Sequence, residues 1–362
     1  MSALVYKSGY GTASMVETTM QPVGLQKTAT QRLSWVDCAK GLCIILVVML
    51  HSTKGVGEAV DREGLIHYFT AFAKPFRMPD FFMISGLFLS RVINRDWKTY
   101  IDRKVLYFIY FYVLWATINF AIKSPALVSE YGILATVQLY LEAFIQPLGT
   151  LWFIYLLPVF FVLAKLLRRV NPVFVFTIAA VFEIATIETG WIVIDHTAER
   201  FVYFFAGYWL APQLFKLAAW TQEKSRLAII CIAGWAIVNG FFVFSGYGDL
   251  PFISLLLGFL GAAAVVTVAS LLSKLKFSEP IRYCGQNSIV IYLAFFIFMH
   301  ATRIFLLEIG LFPQVTVMSV IITIAGIIGP LGLYWLVRNT KLSFLFTRPS
   351  YFSIVKNKVE QK

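Results

Sequence analysis

The stretch RLSWVDCAKGLCIILVVMLHS, residues 32–52, constrains this chain more than any other. It is apolar for long enough to enter a bilayer, yet it holds Asp37 and Lys40 near its start and His51 at its end. Lys40 and His51 are eleven residues apart. That spacing returns to nearly the same face of an α-helix, roughly 16 Å further along its axis. Ile44 and Val47 lie on the stripe between them, and Asp37 sits one turn before Lys40, slightly off it. One helix therefore presents a cation and an imidazole in the same direction. Ionisable groups are costly in hydrocarbon and face a protein interior or a wet cavity, so this face is expected to line a site.

The rest of the chain sets the class. Of 362 residues, 59% are hydrophobic and 14% are charged, with a mean hydropathy of +0.75; a soluble domain carries about 25% charge. Apolar runs near twenty residues recur, without the ten-residue alternation of a membrane barrel. Backbone satisfaction in lipid then predicts an all-α polytopic membrane protein, a bundle of about ten transmembrane helices. The spans are placed near 35–53, 77–93, 104–122, 151–167, 172–190, 199–216, 226–244, 251–272, 286–308 and 314–337.

Lys and Arg gather in alternate loops, as at Arg95, Lys98, Arg103 and Lys104, then at Arg168 and Arg169, and again at Lys274, Lys276 and Arg282. This alternation predicts both termini in the cytosol. It also accounts for the net charge of +12 without nucleic acid as a partner. Residues 1–30 read as a flexible cytosolic tail with no signal peptide, 31–340 as the transmembrane domain and 341–362 as a basic cytosolic tail. Two long outer loops, 54–76 and 123–150, contain helix-like stretches that either lie in the interface or re-enter the bundle. The four cysteines are too few for a disulfide framework, and none is expected to pair.

Several groups carry possible chemistry, each with a plainer reading beside it. His51 is either a base that takes a proton from an attacking hydroxyl or a histidine bonded to a neighbouring helix. Lys40 either meets an anionic ligand or snorkels to headgroups; Asp37 pairs with it or orients the helix start. Lys74, Arg77 and Asp80 crowd around Pro75 and Pro79, and bind an acceptor or form a charge network at a helix entrance; Ser85 and Gly86 permit close helix approach. Arg91, Arg95, Arg103 and Lys104 suit a polyphosphate but also suit orientation alone. His300 and Arg303 share a face at i, i+3, and Glu183 is expected to face inward, as structural glue or in the site. The four histidines show no metal-ligand spacing, and neither a metal nor a bound cofactor is expected.

These residues resemble a family. Lys40-x₁₀-His51, with Asp37 and Gly41 around it, is similar to the first-helix (Arg/Lys)-x₁₀-His motif of the acyltransferase-3 family of integral membrane acyltransferases. FFMISGLFLSR at 81–91 resembles its second-helix motif, and LWFIYLLPVFF at 151–161 its Leu-Trp-Phe helix. The resemblance covers roughly 32–340 and points to an inner-membrane branch with fucose 4-O-acetylase-like members. It implies transfer of an acyl group, commonly acetyl, from cytosolic acyl-CoA as co-substrate to a hydroxyl of a periplasmic or cell-surface saccharide or glycolipid. It assigns His51 as the essential histidine and Lys40 as its basic partner. Two departures bear on the acceptor: Asp102-Arg103-Lys104 stands where the family often has Arg-x-x-Arg, and Ala294 follows Tyr292-Leu293 where many members have histidine. A transporter or exporter of a glycan intermediate is the alternative, since inward charges in such a bundle also serve transport.

Overall fold

Ser34–Val60 form one uninterrupted α-helix, α1, in the computed structural model, which describes residues 33–147, 149–310 and 314–355. The expected N-terminal tail and residues 356–362 lie outside the described residues. α1 includes the first predicted span and continues into what was expected as loop, stopping where Asp61 takes a left-handed conformation (φ 50°) that Asp tolerates better than most residues. The chain then forms α2 (Leu65–Phe72), α3 (Lys74–Gly86), α4 (Trp97–Ile101), α5 (Tyr107–Glu142), α6 (Trp152–Leu166) and α7 (Pro172–Ile184). It continues with α8 (Ile192–Trp209), α9 (Ala211–Glu223), α10 (Ser225–Phe244), α11 (Ile253–Leu272), α12 (Glu279–Gln286), α13 (Ser288–Ile309) and α14 (Val315–Val337). No strand occurs among the described residues.

The protein is an all-helical, polytopic membrane bundle. Among the described residues, seven helical segments are long and apolar enough to cross a bilayer: α1, Trp97–Glu142, Gly149–Arg169, α10, α11, α13 and α14. The other three predicted spans also fall on helices, but on short or divided ones. α3 and α7 have 13 residues each, and the sixth span is split between α8 and α9 at Leu210. A 13-residue helix rises about 20 Å, less than the hydrocarbon thickness. α3 is instead packed inside the bundle, burying Phe76, Arg77, Asp80, Phe81, Phe82 and Ile84. Both loop stretches expected to be helix-like are helical: α2 is one, and the other follows a break in α5 at Gly132 (φ 82°), a conformation glycine adopts without penalty.

α1 is the central post, in contact with α2, α3, α11, α12, α13 and α14. Two glycine pairs set the closest crossings. A Cβ on Gly41 would overlap the Ile281 carbonyl, and one on Gly285 the Asp37 carbonyl, which brings α12 onto the start of α1. Gly86 and Gly207 do the same for α3 and α8, each against the other helix's backbone. The start of the C-terminal segment is folded onto α5: Tyr110 donates to Phe344 O and Trp115 Nε1 to Leu345 O, both at 2.9 Å.

Candidate functional site

His51 opens on a cavity of about 400 Å³ lined mainly by α1 and α13, with α14 contributing Ile322. Its wall includes Ser52, Lys54, Gly55, Thr150, Met299, His300 and Arg303. The imidazole is half-buried and its ring centre lies 5.5 Å from that of Phe295. Arg77 and Lys54 are the cations whose fields reach it. Ser52, the next residue, donates to Ser319 O at 2.8 Å and shares a 2.7 Å bond with Thr323. Those bonds fix the turn of α1 that carries His51. His300 and Arg303, on one face of α13 as the sequence spacing predicts, reach the same cavity; Arg303 Nη2 lies 3.1 Å from His300 Nδ1.

Towards Lys40 the interior also holds the carboxyl of Asp80. Asp80 is 1% exposed and its Oδ2 accepts the Cys43 thiol at 2.5 Å, while Oδ1 has no hydrogen-bond partner. Arg77, three residues earlier on α3, is 8% exposed, reaches Thr70 O at 3.4 Å and leaves Nε without a partner. Polar groups this deep are normally satisfied. The stripe from Lys40 to His51 is thus flanked by groups with bonding capacity to spare.

Cations collect at the Lys40 end. Lys104 stands within the fields of Lys40 and Arg95 and places its Nζ 4.9 Å over the Phe161 ring. Arg91 lies 4.9 Å over Phe88, and Arg91, Arg95 and Arg103 are exposed. The segment bearing Arg91 and Arg95 is pinned from beneath by Lys165, whose Nζ donates to Ile93 O at 2.8 Å and Arg95 O at 2.6 Å. Just outside the membrane segment, Asp96 caps α4 by accepting from Thr99 N at 2.8 Å, which holds its carboxyl below the ordinary range. One end of α1 therefore suits a polyanion, and the other opens an imidazole onto a cavity.

A family model described as an acyltransferase domain matches residues 33–337, which is most of the chain. The chain belongs to this acyltransferase-domain family. It is also 23% identical over 235 residues to an inner membrane protein, YcfT, of Escherichia coli (strain K12); the match covers 57% of this chain and 65% of the relative. The chain thus spans just under two thirds of that relative's length. No solved structure matches it.

Within this acyltransferase domain the remaining predicted site residues scatter. Asp37 is buried and accepts from Gln286 Nε2 at 3.2 Å, so it ties α1 to α12. Lys74 pairs with Asp249 at 2.6 Å on the exposed surface. Ser85 returns its hydroxyl to Phe81 O of its own helix at 2.8 Å. Glu183 accepts from Ser254 at 2.6 Å and Tyr203 at 3.2 Å, and so joins α7 to α8 and α11.

Sequence reasoning passed over Lys165, and also Arg200, which pairs with Glu199 at 2.9 Å and lies 5.1 Å over Trp152. Both charges fall within predicted spans, and that placement was the available signal. Cys43 reads in the sequence as a small hydrophobe, whereas here it is the donor to Asp80. Thr150 and Phe296 had no signal at all.

Proposed function

We propose that this acyltransferase-domain protein is an acyl-CoA-dependent O-acyltransferase, moving an acyl group, commonly acetyl, to a hydroxyl of a saccharide or glycolipid. The observation that carries the reading is the polarity of α1: cations gather around Lys40 at one end, and His51 opens on a cavity at the other. The nucleotide phosphates of the donor would rest among Lys40, Lys104, Arg95, Arg91 and Arg103. Its pantetheine arm, long and mostly uncharged, would run along the Ile44–Val47 stripe towards His51, a helix distance of roughly 16 Å.

At His51 the imidazole accepts the proton of the acceptor hydroxyl as that oxygen attacks the thioester carbonyl. The carbon–oxygen bond forms, the carbon–sulfur bond breaks, and the CoA thiolate takes that proton from the imidazolium and leaves as thiol. Arg77, buried with an unpartnered Nε, supplies positive charge near the developing oxyanion, where a preorganised donor is worth most. Apolar helices, the matched inner membrane relative and the loop charges support a multi-pass inner membrane protein with both termini in the cytoplasm. The Lys40 end then faces the cytosol and the His51 cavity the periplasm or exterior.

The test follows label from radioactive acetyl-CoA into envelope glycans and lipids of membranes carrying this protein or His51→Ala at matched abundance. We expect label with the parent and a loss of about 10²-fold or more with the variant, the scale of one general base. Equal label in both removes His51 from the chemistry.

A further inference from the structure

The cavity at His51 carries positive charge that its own wall does not balance. Arg303 is half-buried; its Nη1 donates to Gly55 O at 3.0 Å and its Nη2 to His300 Nδ1 at 3.1 Å. Because Nδ1 accepts, the proton of a neutral His300 sits on Nε2 and makes the ring a donor. The same ring lies parallel to Phe296, at 9° and 5.9 Å between centres, and Lys123 Nζ stands 4.5 Å over Phe296. Lys123 from α5 and His300 from α13 thus flank one aromatic ring, and Arg303 holds the second of them.

Among the described residues neither Arg303 nor Lys123 makes an ion pair with a carboxylate. Glu58 lines the same cavity but faces Lys54 at 3.8 Å on its own helix, and Glu142 lines the adjoining cavity with Lys123, so the two linings hold three cations (Lys54, Lys123 and Arg303) against two carboxylates. A guanidinium has five N–H groups, and two are used here within the protein. Its remaining donors are available to a ligand.

Position gives the ligand. Gly55 is one helical turn beyond His51, about 6 Å along α1, and a Cβ there would strike the Arg303 guanidinium. The glycine lets Arg303 lie directly against the turn that follows His51. An adjoining cavity of about 680 Å³ meets the first at Gly149, Thr150 and Phe296, and offers Tyr112, Phe120 and Tyr131 as flat faces. We propose that Arg303, with His300 and Lys123, is an anion subsite for the acceptor. The saccharide that receives the acyl group carries a carboxylate or phosphate within about one sugar ring of the reacting hydroxyl, and its neighbouring ring stacks in the adjoining cavity. The naming of this ligand as acceptor rests on the acyltransferase reading of His51; the donor's phosphates are excluded because their cations lie at the far end of α1.

The test is binding, which needs no turnover and so fails separately from the labelling experiment. The full-length protein, in nanodiscs of phosphatidylcholine, is titrated with methyl glucuronoside, glucose 6-phosphate and methyl glucoside. We expect either or both anionic sugars to bind about tenfold more tightly than the neutral one, the scale of one charge-assisted contact. Whichever binds more tightly identifies the anion. Arg303→Gln should bring the three within about twofold of each other, and His51→Gln should leave the preference intact. Gly55→Ala, which displaces Arg303 without removing its charge, should weaken the preference as well. Equal binding of charged and neutral sugars by the parent, no binding of any of them, or a preference that survives Arg303→Gln overturns the proposal. Loss of the preference in phosphatidylglycerol nanodiscs also overturns it, because the subsite would then be holding a lipid headgroup.

Discussion

Cys43 of α1 donates its thiol to Asp80 Oδ2 of α3 at 2.5 Å, and both side chains are 1% exposed. This is a polar contact sealed between two packed helices, and Asp80 Oδ1 has no partner to share its load. Cys43→Ala should leave the carboxyl wholly unsatisfied and cost about 1–3 kcal/mol. Cys43→Ser keeps a donor and should cost less. The double replacement Cys43→Ala with Asp80→Leu removes both partners and should recover much of the loss, since an apolar pair leaves nothing unpaired. Thermal unfolding in detergent measures all three. A double variant no more stable than Cys43→Ala would show that the aspartate is held by something other than this thiol.

The crossing of α3 on α8 gives a second prediction. Gly86 and Gly207 each press against the other helix's backbone, whereas Gly234 of α10 has nothing within 4 Å of an added Cβ. Gly86→Ala and Gly207→Ala should each destabilise by about 1–3 kcal/mol, the usual cost of overpacking. Gly234→Ala should instead be neutral or stabilising, because alanine is the better helix former. The melting temperatures of the three variants, ranked together, check the crossing directly. Gly86→Ala should also lower acyl transfer, because α3 carries Arg77, whose field reaches His51.

Most of the helices were legible in the sequence because apolar length is a one-dimensional property. Less legible was which of them reach across. α3 and α7 read as spans from composition, yet each is 13 residues long, and a short helix shows itself only when its neighbours bury its ends. For the site, the Lys40–His51 spacing and the His300–Arg303 pair were readable because each lies on one helix, where the period fixes the face. That His300 and Arg303 share a cavity with His51 depends on how α13 meets α1. No local pattern encodes that meeting, nor the pairing of Cys43 with Asp80 across 37 residues.

Lys165 is 1% exposed and buries its charge against two backbone carbonyls, Ile93 O and Arg95 O, with Tyr100 4.3 Å away as a cation–π partner. A buried lysine that spends its donors on one loop holds that loop in place. Lys165→Met keeps the stem and loses the bonds, so the segment carrying Arg91 and Arg95 should loosen. If those arginines hold the donor's phosphates, KM for acetyl-CoA should rise about tenfold, the effect of one charge-assisted interaction, while kcat changes little. Lys165→Arg, which keeps a charged donor, should restore part of the affinity. A fall in kcat at constant KM would place Lys165 elsewhere in the mechanism.

Arg348 anchors Asp102, the residue just before Arg103 and Lys104. Its guanidinium reaches Asp102 twice, Nη1 to the backbone oxygen at 2.8 Å and Nη2 to Oδ2 at 3.1 Å, while Ser353 Oγ and Ile354 N each donate to the carboxylate at 2.9 Å. The side chains are 10% and 3% exposed, so this is a buried pair, and removing one partner strands the other. Arg348→Ala should cost about 3 kcal/mol, the low end for a broken buried pair, because Asp102 retains the Ser353 and Ile354 bonds. Arg348→Lys keeps the charge but not the two-point fork, and should fall between. The charge-free pair Asp102→Asn with Arg348→Met should be more stable than Arg348→Ala alone, since no buried carboxylate is left without its cation. Limited proteolysis separates the local effect from the global one: residues 341–355 should become cleavable in Arg348→Ala at temperatures where the helices remain protected. Arg103 and Lys104 follow Asp102 directly in the chain. The same release should therefore raise KM for acetyl-CoA, and an unchanged KM with a freed segment would detach the clamp from the donor site.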